Sequence, residues 1–127
     1  MAGELILIVD DNEKNTKLAR DVLRFAGYRT LEAASADEAI TLADEHLPDV
    51  ILMDIRLPGM DGIAAVDVLK GRARTRAIPV VALTSFAMKG DRERFIAAGF
   101  DGYLEKPISV KEFPEQVRSY LGGREER

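Results

Sequence analysis

The sequence lacks the residues and segments that several classes of protein require. It has no cysteine, which excludes disulfide bonds and thiolate metal sites. No apolar run approaches the roughly 20 residues of a transmembrane helix, and the first residues, MAGELILIVDD, lack the basic segment of a signal peptide. Lys and Arg number 18 against 22 Asp and Glu, so the chain has no overall attraction for nucleic acid or anionic membrane. These absences favour a cytoplasmic protein whose partners are neither nucleic acids nor membranes.

What the sequence does have is a regular alternation of apolar runs and helical patterns. The runs LILIV, VILM, VVAL and GYL predict strands buried on both faces, and the mixed segment YRTLEAA is typical of an edge strand. Helical patterns fill the intervals, one of them opened by a capping box at Ser35–Glu38. Over the 127 residues of one domain, this alternation predicts an α/β fold with β-α repeated five times, a doubly wound parallel sheet of five strands covered by helices on both faces.

The first and last helices carry the most specific signals. Leu18, Val22 and Phe25 recur with the helical period and predict the buried face of the first helix. A second capping box, Ser109–Glu112, predicts the start of the last helix. Pro114 falls within its first turns, so either the first turn is distorted or the helix starts later.

The last helix is expected to end at two glycines, Gly122 and Gly123. The four residues that follow, REER, are all charged and have no apolar face to bury. We therefore expect residues 1–121 to form the domain and residues 122–127 a short charged C-terminal tail.

Charged and hydroxyl side chains stand at the ends of four predicted strands. The first strand ends at Asp10 and Asp11, the third at Asp54, the fourth at Thr84 and the fifth at Lys106. Each has a simple structural explanation when taken alone: a helix cap, a turn, a strand residue or a solvated lysine. Because parallel strands bring their carboxyl ends to one rim, where such sheets bind ligands, we expect these side chains around a single pocket.

A cluster of this kind needs compensating positive charge. Two carboxylates about 4 Å apart repel by about 4 kcal/mol at an effective dielectric constant of about 20. Lys106 would offset one of the negative charges and a divalent cation two more. Oxygen ligands without cysteine or a nearby histidine suit Mg²⁺ or Mn²⁺ better than Zn²⁺. A carboxylate in such a site can also attack phosphorus and form an aspartyl phosphate.

Over nearly its whole length the chain resembles the receiver domain of two-component response regulators. The matching segments are VDDN, ILMDIRLPGMDG, ALTS and AGFDGYLEKPI, together with the β-α spacing between them. The segments LTSFAMKGDRERF and EKPISV are most similar to single-domain receivers of the DivK type. The resemblance implies a flavodoxin-like, CheY-like sheet with the strand order 2-1-3-4-5.

The resemblance also implies a role for each acidic residue. Asp54 would accept the phosphoryl group in a reaction that depends on Mg²⁺. Asp11, Asp54 and the main-chain carbonyl of Arg56 would bind the metal directly, and Asp10 would act through a water molecule. The domain would be a signalling receiver rather than an enzyme acting on other substrates, catalysing only its own phosphorylation and slow dephosphorylation.

Further roles follow from the same resemblance. Lys106 would pair with the phosphoryl group, and Thr84 would move inward to donate a hydrogen bond to it. Tyr103 would be an aromatic switch that turns from exposed to buried on activation. The Lys106–Pro107 peptide bond would be cis. The fourth helix, fifth strand and fifth helix would then present an altered surface to a downstream protein.

Two positions near the predicted acceptor suggest control over phosphate lifetime. Arg56 lies two residues after Asp54, and Phe86 two residues after Thr84. Both should flank the path by which water reaches the acyl phosphate. We expect these large side chains to shield the bond and to slow autodephosphorylation.

The resemblance implies a histidine kinase or a histidine phosphotransfer protein as the phosphodonor partner. Two alternatives stay open: an interaction module that switches without phosphate, and a receiver that belongs to a larger hybrid histidine kinase. The acidic pair, the acceptor and the lysine, which such phosphate-independent modules usually lose, are all present here.

Other functions fit the sequence less well. DDNEKN lacks the glycine of an EF-hand loop, and a haloacid-dehalogenase-type phosphatase would need an aspartate where Arg56 stands. No Ser/Thr-rich phosphate loop of a flavodoxin-like cofactor protein follows the first strand. The basic residues from Lys70 to Arg76 have no aromatic neighbours, which is typical of a solvated loop rather than an RNA-binding site. His46 is interpreted as a residue at the end of a helix.

Overall fold

Strands and helices alternate along the chain, as the apolar runs predict. The computed structural model describes residues 3–57, 59–85 and 90–125, with side chains as far as Leu121. The strands are β1 (Leu5–Val9), β2 (Arg29–Ala33), β3 (Val50–Asp54), β4 (Val80–Thr84) and β5 (Gly102–Glu105). The helices are α1 (Glu13–Phe25), α2 (Ala36–His46), α3 (Gly62–Gly71), α4 (Asp91–Ala98) and α5 (Phe113–Glu125). Within the described ranges, none of these helices is long and apolar enough to cross a membrane.

The strands form one parallel sheet in the order β2-β1-β3-β4-β5, which confirms the predicted fold class and strand order. The register aligns the carboxyl ends of the central strands. Val9 lies opposite Met53, and Asp54 lies opposite Leu83. The residues that follow these strands therefore meet at one edge of the sheet.

Helices cover both faces of the sheet, and the side chains of β1 alternate between the two layers. Leu7 and Val9 pack into a cluster with residues of α2, α3 and α4. Ile6 and Ile8 pack into a second cluster with residues of α1 and α5. Burying one Leu or Ile side chain contributes about 1.5–3 kcal/mol. The continuous apolar runs of the sequence are thus explained by strands that have no solvent-facing side.

Side-chain caps define the starts of three helices. The Asn12 side chain accepts hydrogen bonds from the main-chain N–H groups of the first turn of α1. Ser35 accepts from the N–H of Glu38 at 3.2 Å, and the Glu38 carboxylate accepts from the N–H of Ala34 at 2.9 Å. The predicted capping box is therefore present, with its return bond one residue earlier than usual. Asp61 caps α3 by accepting from the N–H of Ala64 at 2.9 Å.

The predicted buried face of α1 is wrong for Leu18 and Phe25, whereas Val22 is partly buried and packs against the core. Phe25 is 96% exposed and Leu18 is 38% exposed, whereas the buried residues of this helix are Thr16, Ala19 and Leu23. Ala19 and Leu23 are four residues apart and lie on one helical stripe, which packs into the cluster with β1. The sequence pattern weighted large apolar side chains and overlooked a small alanine and a threonine, which allow the helix to lie close to the sheet.

The start of α5 follows one of its two predicted alternatives, and the end of α5 differs from prediction. The helix begins at Phe113, later than the capping box suggested, after a turn in which Ser109 accepts from the N–H of Glu112 at 3.3 Å. Pro114 thus occupies the second helical position, where its missing N–H has no partner within the helix in any case. The helix continues through Gly122 and Gly123 to Glu125. The predicted end of the helix at Leu121 is therefore wrong, while the division into a domain of residues 1–121 and a tail of residues 122–127 stays a prediction.

Candidate functional site

Three aspartates come together at the carboxyl edge of the sheet. Asp10 and Asp11 follow β1, and Asp54 is the last residue of β3. One carboxylate oxygen from each lies within 4.8 Å of the other two. The structure thus brings together the three acidic residues that the strand ends predicted.

Lys106 joins this cluster from the end of β5. Its Nζ lies 2.8 Å from Asp10 Oδ2 and 3.1 Å from Asp54 Oδ2. Its main-chain N–H donates to the carbonyl of Thr84 at 2.8 Å, which ties it to the neighbouring strand. Burial alone would lower the pKa of this ammonium group, but its hydrogen bonds to Asp10 and Asp54 outweigh that effect and raise the pKa. Lys106 is therefore a fixed positive charge, and its peptide bond to Pro107 is cis.

The two adjacent aspartates have different surroundings. Asp10 is buried, and its Oδ1 accepts from the main-chain N–H of Asn12 at 2.9 Å. Its Oδ2 accepts from Lys106 and from the side-chain amide of Asn15 at 3.3 Å. Asp11 is exposed at the edge of the same cluster. The capping task belongs to Asn12, so neither aspartate is needed to start the helix.

The Asp54 carboxylate is held at both oxygens. Oδ1 accepts from the main-chain N–H of Arg56 at 3.1 Å, and Oδ2 accepts from Lys106. Burial raises the pKa of Asp54 above its usual range, and the nearby charge of Asp10 adds to this effect. The hydrogen bonds from Lys106 and from the Arg56 N–H oppose it. The result is a desolvated carboxylate of fixed orientation, the arrangement that suits a nucleophile.

Gly62, the first residue of α3, controls the backbone beneath Asp54. Its N–H donates to the carbonyl of Ile55 at 2.9 Å. A Cβ at this position would lie 2.5 Å from the carbonyl oxygen of Asp54 and 3.0 Å from the Cα of Ile55, distances that no side chain can adopt without moving the main chain. This contact was not predicted, because a glycine in the segment MDG is typical of a turn.

A cavity of about 350 Å³ opens over the cluster. Its lining includes Asp54, Lys106, Thr84 and Arg56, all of them predicted, and also Arg94 from the second half of the first turn of α4. Arg94 was not predicted, since no strand end precedes it and only the packing of α4 brings it here. The cavity thus leaves the cluster accessible to a ligand.

Of the two predicted switch residues, Thr84 lines this cavity, and Tyr103 lies on the neighbouring strand β5. Thr84 is buried at the end of β4. Tyr103 is half-buried, and its ring meets that of Phe95 edge to face with centroids 6.2 Å apart. Arg56 is exposed beside Asp54. Phe86 lies outside the described residues, so its predicted shielding role stays a prediction.

The donor atoms of the cluster fit a divalent cation. Three carboxylates within 4.8 Å of one another provide only oxygen ligands, which Mg²⁺ and similar hard cations prefer. Asp11 is the member whose oxygens are most open to solvent. The acidic cluster can therefore hold a divalent metal ion.

Lys70 lies in the last turn of α3 rather than in the predicted loop, whereas Arg74 lies in the loop that follows, and both have structural contacts. Lys70 Nζ donates to the carbonyls of Arg76 and Ile78 and lies 2.9 Å from Asp101 Oδ2. Arg74 donates to the carbonyl of Asp44 at 2.7 Å. These bonds tie the loop to neighbouring elements, which agrees with its interpretation as a loop rather than a binding patch.

Comparison with known proteins points to one family. The sequence profile of the response regulator receiver domain matches residues 6–118. The polar-differentiation response regulator DivK of Brucella ovis is 50% identical over 117 residues, which cover 92% of this chain and 95% of that protein. Among solved structures, the receiver domain of the sensor histidine kinase PA1611 from Pseudomonas aeruginosa, with a magnesium ion coordinated in its active site cleft, is 37% identical and superimposes with a TM-score of 0.87 over 95% of this chain and 99% of that one. The chemotaxis response regulator CheY4 of Vibrio cholerae is 26% identical, with a TM-score of 0.88 over 94% and 100% of the two chains.

Proposed function

The chain belongs to the response regulator receiver family, and from this premise we propose that Asp54 is the residue that accepts the phosphoryl group. The protein is a two-component response regulator of the DivK type. The observation that carries the assignment is the contact of Lys106 with both Asp10 and Asp54. It holds a buried carboxylate ready for attack beside a cluster that can bind a cation.

In the proposed reaction, an Asp54 carboxylate oxygen attacks the phosphorus of a phosphohistidine. The new O–P bond forms as the N–P bond breaks, and the imidazole leaves with the electron pair of that bond. The second Asp54 oxygen stays oriented by its hydrogen bond. Lys106 then shifts from the carboxylate to the phosphoryl oxygens, since its ammonium group is already at the site.

The proposed metal ligands are Asp11, Asp54 and the main-chain carbonyl of Arg56, with Asp10 contributing through a water molecule. A bound Mg²⁺ or Mn²⁺ would neutralise the charge that builds up on the phosphoryl group. The exposure of Asp11 and the full set of hydrogen bonds on Asp10 support this division between direct and water-mediated ligands.

We further propose that Thr84 donates its hydroxyl to the phosphoryl group and that Tyr103 follows by turning inward. The half-buried position of Tyr103 against Phe95 supports a ring able to adopt two packings. The surface formed by α4, β5 and α5 would then bind a downstream protein. This is a shift in population between two packings of one fold, biased by the phosphoryl group.

The upstream partner is a phosphodonor protein of the two-component class, and we propose a histidine kinase or a histidine phosphotransfer protein in the cytoplasm. The pairing of Lys70 and Arg74 within the chain supports the absence of a nucleic-acid partner. A phosphate-independent module is not favoured, because the acidic cluster and the lysine are intact. Likeness to the receiver of a sensor histidine kinase keeps membership of a larger kinase as an alternative.

Incubation with Mg²⁺ and acetyl phosphate tests the proposal. Mass spectrometry should show the gain of one phosphoryl group on wild-type protein and none on Asp54→Asn or in the presence of EDTA. An unmodified wild-type protein would instead favour a phosphate-independent module. A pull-down with wild type and Asp54→Asn then asks whether a partner depends on phosphorylation.

The lifetime of the phosphoprotein tests the proposed shielding by Arg56 and Phe86. The double variant Arg56→Asn, Phe86→Ala should lose its phosphoryl group faster than wild type, because water would reach the acyl phosphate more easily. An unchanged lifetime would contradict the shielding role. The same experiment measures the slow autodephosphorylation that we propose for the wild-type chain.

A further inference from the structure

We propose that Arg94 binds the phosphoryl oxygens of the incoming phosphodonor and guides it to Asp54. This inference rests on the proposed function of Asp54 and adds a substrate-binding residue to it. Arg94 belongs to α4, a helix that contributes no residue to the acidic cluster. It lines the same cavity as Asp54 and Lys106.

The first argument is that Lys106 is already engaged before a donor arrives. Its ammonium group contacts Asp10 at 2.8 Å and Asp54 at 3.1 Å, and its side chain is only 13% exposed. An approaching phosphoryl dianion would have to displace one of these contacts to reach it. A donor in solution therefore needs another cation for its first contact with the site.

The net charge of the acidic cluster also disfavours the approach of a phosphoryl group. Three carboxylates face a single ammonium group in the cluster, so the cluster is negative until a divalent metal binds and has no surplus positive charge afterwards. The other cations that line the cavity are Arg56 and Arg94. A phosphoryl group carries negative charge as well. A cation at the mouth of the cavity would reduce this repulsion and raise the local concentration of the donor.

The third argument is that the Arg94 guanidinium is both placed and available. It lies over the ring of Phe95, 5.2 Å from the centroid, a contact that limits its rotamers. It is 63% exposed, and its ion pair with Asp91 is long at 3.6 Å. The Asp91 side chain is 17% exposed, but a pair this long with its guanidinium in solvent contributes little, so the guanidinium can exchange it for a bidentate contact with phosphate oxygens.

The test measures the initial rate of phosphorylation by acetyl phosphate at saturating Mg²⁺, as a function of donor concentration. Arg94→Gln should raise the donor concentration needed for the half-maximal rate about three- to five-fold, the scale of an exposed charge pair, and leave the maximal rate unchanged. Arg94→Lys should recover most of the loss. Raising the ionic strength should narrow the difference between wild type and Arg94→Gln, because the attraction is screened.

Arg76→Gln is the matched control. It removes the same charge from an exposed residue in the loop before β4, at the opposite edge of the sheet, and should behave like wild type. The Mg²⁺ affinity of Arg94→Gln, measured by calorimetry, should also equal that of wild type, since Arg94 is no metal ligand.

The outcomes separate the inference from the function on which it rests. An Arg94→Gln protein with the wild-type half-maximal concentration would overturn the inference alone. The same would follow if Arg76→Gln raised the half-maximal donor concentration by the same factor, since the effect would then be one of net charge. A wild-type protein that gains no phosphoryl group would overturn the proposed function and this inference together.

Discussion

Two adjacent aspartates at the end of a buried strand differ in burial and in hydrogen bonding. Asp10 is buried with both oxygens bonded, whereas Asp11 is exposed. A buried carboxylate without partners would be costly, so the bonds from Asn12, Asn15 and Lys106 are what make Asp10 tolerable. The exposed neighbour has its carboxylate open to solvent at the edge of the cluster, which supports the metal contact proposed for it.

The raised pKa of Asp54 has a consequence for stability. The unfolded chain releases this proton at lower pH than the folded one, so the protonated form favours folding, and that contribution is lost as pH rises through the raised pKa. Asp54→Asn keeps a neutral side chain at all pH values. In EDTA we therefore expect it to melt a few degrees above wild type at neutral pH, by circular dichroism, with the gap narrowing as the pH is lowered towards 4, the usual region for a carboxyl group.

Lys106 is the reason that this substitution should leave the fold intact, since its contact with Asp10 remains. The matched control is Asp67→Asn, which removes one charge from an exposed position on α3. It should show no such gap at any pH. A wild-type protein that is more stable than Asp54→Asn at neutral pH would mean that the bonds from Lys106 and the Arg56 N–H outweigh burial.

The helix α3 meets the acceptor strand without room for a side chain. Gly62→Ala would place a methyl group against the Asp54 carbonyl and force the loop to shift. We expect a loss of about 1–3 kcal/mol in the free energy of unfolding, the range for overpacking. Phosphorylation at Asp54 should also slow, because the displaced loop carries the Arg56 N–H that orients the carboxylate. Urea unfolding and the acetyl phosphate assay measure the two effects.

Gly71→Ala, at the other end of the same helix, is the control. Nothing lies within 4 Å of a Cβ placed there, so alanine should be neutral or should stabilise the helix by up to about 1 kcal/mol. Equal behaviour of the two variants would show that the main chain near Gly62 can move without cost.

The orientation of α1 gives a second comparison between neighbouring residues. Leu23 is fully buried, whereas Phe25 is 96% exposed. Leu23→Ala should lower the free energy of unfolding by about 2–5 kcal/mol, and Phe25→Ala should change it by less than about 0.5 kcal/mol. Chemical denaturation measures both. A larger loss of unfolding free energy for Phe25→Ala than for Leu23→Ala would mean that α1 buries the face that the sequence pattern predicted.

These elements also show what the sequence could predict. The strands were recognisable because their apolar runs are continuous, and the site residues because they follow those runs directly. The rotation of α1 could not be recognised in this way, since it depends on which face of the helix fits against β1. The small residues that fit there contribute little to a hydrophobic pattern. Arg94 and Gly62 escaped for a related reason: their roles come from contacts between elements that are distant in sequence.

In the whole molecule, the functional groups occupy one edge of the sheet while two apolar clusters fill its faces. The acidic cluster therefore adds little to the core. The repulsion among its three carboxylates lowers the stability of the folded chain. A cation that binds only the folded chain would relieve this repulsion and stabilise the protein by mass action.

Mg²⁺ should accordingly raise the melting temperature of the wild-type protein. The gain in free energy of unfolding should reach about 2.7 kcal/mol when Mg²⁺ is at about 100 times its dissociation constant. Asp11→Asn removes the exposed carboxylate of the cluster, so its melting temperature should be close to that of wild type without Mg²⁺ and should respond only weakly to Mg²⁺. Asp67→Asn, with the same loss of charge away from the cluster, should respond like wild type. A full response in Asp11→Asn would show that Asp10 and Asp54 alone bind the metal, and would reverse the division proposed for the two adjacent aspartates.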